Sequence, residues 1–192
     1  MTRLPYPDPD QLPEEVRAIL AKRPPRNVFR MLSHAPALVP GLMELTGAIL
    51  YRAKLEPSLR ELAVLRVGHL CGSSYEVTQH RKIGQAVGLA PEKIDGTACD
   101  ADPALYSERE LLVLRMAEQV VRKVKADDAL FAAMVKELGS EKTMELLIII
   151  GTYVLLAQVL ENTEVELEAD GKASQDDSDR IFGYQAKKGM RW

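Results

Sequence analysis

The run Arg60-Glu61-Leu62-Ala63-Val64-Leu65-Arg66-Val67-Gly68-His69-Leu70-Cys71-Gly72-Ser73-Ser74-Tyr75-Glu76-Val77-Thr78-Gln79-His80 decides how this chain is read. Its apolar residues recur at helical spacing, and strand alternation is nearly absent. The spacing predicts one helix from about Ser58, just after Pro57, to about Cys71. It predicts a second capped by Ser73-Ser74 and stopped at Gly88. In the second helix Glu76 and His80 are four residues apart, which puts a carboxylate and an imidazole on one helical face. Imidazole can both take and give a proton at physiological pH, and a carboxylate beside it can fix its tautomer or carry the opposite proton.

Outward from this stretch the same period continues. Helices are expected over Pro13 to Lys22, from a cap at Asn27 to about Ser33, and over Pro40 to Ala53. A polar connection from Pro91 to Pro103 separates these from three more helices. One follows Ser107, one follows Asp127 and ends at Gly139, and one runs from Ser140 to about Thr163. The fold class is therefore all-α, a helical bundle of about seven helices spanning residues 1–168. Residues 169–192 form a polar tail with isolated Ile181, Phe182, Tyr184 and Trp192, either mobile or docked on a neighbouring subunit. Ser58 to Arg66 matches Ser107 to Arg115 at seven of nine positions with a constant offset of 49, which points to an internal duplication. The second copy has Lys125 and Ala129 where the first has Glu76 and His80, so any chemistry belongs to the first half.

Composition narrows the function. A formal charge of -3 and the absence of a basic cluster argue against nucleic acid as a partner. The first ten residues contain no apolar core of a secretory signal. The most apolar run, Leu146 to Leu160, reads as too short and too polar to span a bilayer and as a buried core helix instead. The two cysteines, Cys71 and Cys99, stand in no metal-ligand or redox spacing, so a reducing cytoplasm is the expected location.

The opening stretch resembles the carboxymuconolactone decarboxylase and alkylhydroperoxidase D (AhpD) superfamily. The alkylhydroperoxidase branch carries C-x-x-C-x-x-x-H, with a glutamate twelve residues before the first cysteine. Anchored on His80, Ser73 and Glu76 fall at the two cysteine positions and Glu61 at the upstream glutamate. The E-x-x-x-H that results is common in the decarboxylase branch. The resemblance spans roughly Leu50 to Thr163 and implies an AhpD-like helical fold that completes its core as a dimer, trimer or hexamer. Thiol–disulfide exchange needs an attacking thiolate and a second sulfur, and Ser73 with Glu76 supplies neither. Cys71 lies two positions too early. Proton transfer on a small carbonyl or lactone acid (decarboxylation, isomerisation or hydration) is the expected chemistry.

His80, Glu76 and Glu61 are the expected catalytic residues, and Tyr75, Ser73 and Arg81 the expected substrate-binding ones. Arg66 and Arg60 are further candidates to meet an anionic substrate. No cofactor and no metal is expected. Glu61 should reach the Glu76/His80 pair across the two packed helices, by a steep crossing. Each residue also has a plainer reading. Ser58-x-x-Glu61, Ser73-x-x-Glu76 and Ser107-x-x-Glu110 are all capping-box patterns. His80 could be a surface histidine, and His69, flanked by apolar residues, a core one. Two rivals stand beside the enzyme: a peroxidase-related protein using Cys71 alone, and a non-catalytic ligand-binding helical oligomer.

Overall fold

The structure is a computed structural model and describes residues 1–98 and 102–168. Cys99 and the polar tail from residue 169 lie outside the described residues. Among them there are eight α-helices and no strand. The chain divides into two compact units, one of residues 1–52 with 159 onward, the other of residues 53–158.

The first unit holds α1 (Glu14–Leu20), α2 (Asn27–Leu32) and α3 (Val39–Tyr51). Val16, Val39 and Met43 are its buried centre, flanked by Leu12, Ile19, Leu20, Phe29, Leu32 and Leu42. Asn27 does not cap α2. Arg26 holds the cap position, and Asn27 donates its backbone N–H to Glu168 and its side-chain amide to the Glu166 carbonyl. The asparagine therefore pins the segment after α8 instead of closing a helix end.

The second unit holds α4 (Pro57–Leu70), α5 (Ser74–Ala86), α6 (Pro91–Gly96), α7 (Glu108–Lys123) and most of α8 (Asp128–Thr163). Helix α4 is central and packs against both α5 and α7, and ten consecutive residues, Leu59 to Gly68, are buried. A helix buried on all sides must neutralise its charged residues internally. Helix α6 replaces part of the expected connection: Pro91 occupies its first turn, and Ile94 is its one buried residue, too little to set a readable period. Asp127 caps α8, its Oδ1 accepting from the Leu130 N–H at 2.8 Å. The two expected final helices form one 36-residue run whose helical dihedrals break only at Gly139, φ 78°. By length and composition that run could cross a membrane, contrary to the shorter span expected. Leu146, Ile149, Ile150, Tyr153 and Ala157 are buried along it, the pattern of a core helix.

The link between α4 and α5 is a Schellman turn. Cys71 is the C-cap, Gly72 follows at φ +70°, and the N–H groups of Gly72 and Ser73 return to the carbonyls of His69 and Gly68. Gly88 closes α5 in the same way, at φ +90°, with Leu89 N–H returning to the Gly84 carbonyl. Close packing of the hairpin depends on Gly68, where an added Cβ would stand 3.0 Å from Val77 Cγ2 and 3.5 Å from Glu76 Cβ.

Candidate active site

Two turns back along α4 from Gly68, Glu61 meets His80 of α5. The His80 Nδ1 to Glu61 Oε2 distance is 2.7 Å, and Glu61 is 0% exposed. The other oxygen, Oε1, accepts from Arg60 Nε at 2.8 Å. One buried carboxylate thus joins a guanidinium to an imidazole. Burial pushes the Glu61 carboxyl up, but the charge and hydrogen bonds of His80 and Arg60 outweigh it, and the carboxyl sits below the ordinary glutamate range. An ionised carboxylate only accepts, so Nδ1 carries the proton in this bond and the neutral ring has its lone pair on Nε2.

Glu61 and His80 meet without a steep crossing. Gly68 lies against Glu76 and Val77, and seven residues earlier on α4 Glu61 faces His80, three to four residues later on α5. Contacts that move back along one helix and forward along the next belong to side-by-side antiparallel helices. The steep crossing inferred from the sequence placed the meeting point at the start of α5, whereas Glu61 engages a residue two turns further in.

The remaining site residues fall as follows. Glu76 and His80 share α5 and are both buried, but the carboxylate bonded to His80 Nδ1 comes from α4. Ser73 is 1% exposed, caps nothing with its side chain, and its Oγ has no protein partner. Tyr75 is buried. Arg81 turns to Asp95, and Arg66 is held by Glu118 Oε2 at 3.0 Å and the Thr97 carbonyl at 3.1 Å. His69 is half-buried, not a core residue. Burial, and then Arg81 and Arg66, lower its pKa. Cys71 carries a partly exposed thiol at the end of α4. Among the described residues no three His, Cys, Asp or Glu side chains gather as a metal site.

Two partners escaped the sequence reading. Arg60 was considered for a substrate, but its place is beside Glu61. Tyr153 of α8 packs edge-on against the His80 ring, with centroids 4.8 Å apart. The available signal was a phenol in an otherwise apolar helix, since a buried tyrosine usually has a reason for its polar end.

Solved structures with this architecture define the class. The chain is similar to an AhpD-core, peroxidase-related protein of Ralstonia eutropha JMP134, with a TM-score of 0.77 and 21% identity over 88% of this chain and 93% of that one. It is also similar to a peroxidase-related protein of Silicibacter sp. TM1040, with a TM-score of 0.76 and 15% identity over the same shares. A variant of the debrominase Bmp8 in complex with 2,3,4-tribromopyrrole gives a TM-score of 0.72 and 17% identity over 93% and 98%. The fold is AhpD-like. In sequence, residues 36–119 match the carboxymuconolactone decarboxylase family, which supports the superfamily indicated by the motif. No curated protein matches the chain.

Proposed function

We propose that this protein is an acid–base catalyst acting on a small carbonyl or lactone substrate, with His80 as the proton carrier. The observation that carries this reading is the buried Arg60–Glu61–His80 chain, with links of 2.8 and 2.7 Å. In it Arg60 keeps Glu61 ionised, and Glu61 orients the ring and fixes its tautomer. His80 Nε2 takes a proton from a carbon next to a carbonyl and returns it elsewhere on the substrate. Glu76, on the same helix, is the second proton-handling group. A protein of this fold holding 2,3,4-tribromopyrrole supports a ring-sized ligand. Part of the proposal is a cytoplasmic homo-oligomer, supported by the exposed apolar side chains Met144, Ile148 and Leu155 on α8. The test is solvent-deuterium incorporation into a panel of small lactones and keto acids by wild type and His80→Ala. Exchange that is lost with His80 is expected; exchange that persists in His80→Ala removes the histidine from the chemistry.

A second reading is favoured by the two peroxidase-related structural neighbours. In it the Cys71 thiolate attacks a hydroperoxide, releasing an alcohol and leaving a sulfenic acid. Two equivalents of an external thiol then restore Cys71, giving a disulfide and water. Peroxide consumption that needs added thiol and vanishes in Cys71→Ser would select this reading over the first.

A further inference from the structure

The arginines nearest the site are committed to carboxylates: Arg60 to Glu61, Arg66 to Glu118, and Arg81 to Asp95. Around His80 the buried charge is therefore one guanidinium, Arg60, against two carboxyl groups, Glu61 and Glu76. Glu61 balances Arg60, and Glu76 sets the sign. If Glu76 is ionised, the surroundings of a neutral His80 are net negative; if it is protonated, they are uncharged. Neither state supplies a spare cation, so a substrate carboxylate entering here loses its hydration without a compensating partner. A neutral donor is present on the same face of α5. Ser73 Oγ is buried without a protein partner, and Ser73, Glu76 and His80 follow one another at helical spacing. Ser73 and His80 are separated by about 10 Å of helix rise, which two side chains and a five-membered ring can bridge.

We propose that the His80 site takes an uncharged carbonyl compound of the enol-lactone class and selects against its carboxylated counterpart. This rests on the proton-transfer reading above and names its substrate class. For α-angelica lactone, His80 Nε2 removes a proton from the carbon between the carbonyl and the ring double bond. The C–H electron pair moves into the ring, and charge collects on the carbonyl oxygen, where Ser73 Oγ–H donates. The double bond then moves into conjugation and the proton returns at the γ carbon. Substrate and product are isomers, so no oxidant, reductant or co-reactant enters.

The experiment compares α-angelica lactone with the same ring carrying an acetate side chain in place of the methyl. Each is incubated with the full-length protein in D2O and followed by NMR. The neutral lactone is expected to show a kcat/KM about 10-fold or more above the acid. Glu76→Gln should narrow that ratio by removing the charge that disfavours the acid, and Ser73→Ala should lower turnover of the neutral lactone by about 10-fold or more. Equal or preferred turnover of the acid, dependent on His80, overturns the charge preference and leaves the proton-transfer reading standing. If neither lactone is turned over, the proton-transfer reading falls, and binding decides the preference. The His80 ring resonances are then titrated with both compounds: a tighter neutral lactone supports the inference, and a tighter acid, or no response to either, overturns it.

Discussion

Glu61 holds a guanidinium and an imidazole with one carboxylate, in a place water does not reach. Glu61→Gln keeps an acceptor but removes the anion, leaving Arg60 buried beside a neutral amide. Stability should fall by about 3 kcal/mol, the scale for breaking a buried pair from one side. Activity of the remaining folded protein should fall about 10²-fold or more. Urea unfolding and a proton-exchange assay measure the two effects separately; a folded variant of full activity would leave His80 without need of Glu61. Acid should expose the same link. The carboxyls of Glu61 and Glu110 lie below their ordinary range in the folded protein. Their contribution is complete above the unfolded glutamate value of about 4.3 and is lost as pH falls through the lower folded values. Urea midpoints should drop on the acid side of that value, and the drop should be shallower in Glu61→Gln. An unchanged slope would show that this carboxylate does not carry the effect.

Three Ser-x-x-Glu sequences look alike and serve two different ends. Ser107 and Glu110 make a full capping box, with Ser107 N–H donating to Glu110 Oε2 at 2.8 Å. Ser58 lies inside α4 and its Glu61 is drawn into the core, while Ser73 caps nothing. Ser107→Ala should therefore cost about 1 kcal/mol and Ser73→Ala almost none, as thermal or urea unfolding would show. Equal losses would mean that Ser73 does cap α5. The helices, the Gly88 stop and the Asp127 cap were legible because each depends on local spacing. The destination of a glutamate was not, since capping its own helix and crossing to the next begin from the same letters. The importance of Gly68 was hidden for a similar reason: it follows from a neighbouring backbone. Gly68→Ala should push α5 outward at Val77 and weaken activity more than stability, because the displaced helix is the one that carries His80. Retained activity with an undisturbed His80 environment by NMR would show that the hairpin yields elsewhere.

Across the whole molecule, the central helix and the candidate site are the same object. Residues that fill the core of α4 alternate with Arg60, Glu61 and Arg66, so a change made for packing also moves charge. The superfamily was readable because its motif lies on this helix and the next. The chemistry was less so, because Arg60, Glu61 and Tyr153 converge from two helices far apart in sequence. The proposed homo-oligomer has a direct check: sedimentation of the full chain should give a multiple of 21.3 kDa. A single species at the monomer mass would remove it.

Glu61 and His80 are 19 positions apart, and one helical hairpin closed at Gly72 is all that lies between them. A loop this short costs little entropy to close, so such contacts form early in folding. During synthesis the pair is complete once α5 has left the ribosome, before α7 and α8 exist. Pulse-labelled amide exchange should accordingly protect the hairpin ahead of α8. The imidazole and carboxylate would first meet in water, and the edge of Tyr153 would reach them only after the last helix is made. The order of translation would then separate the assembly of this site from its drying.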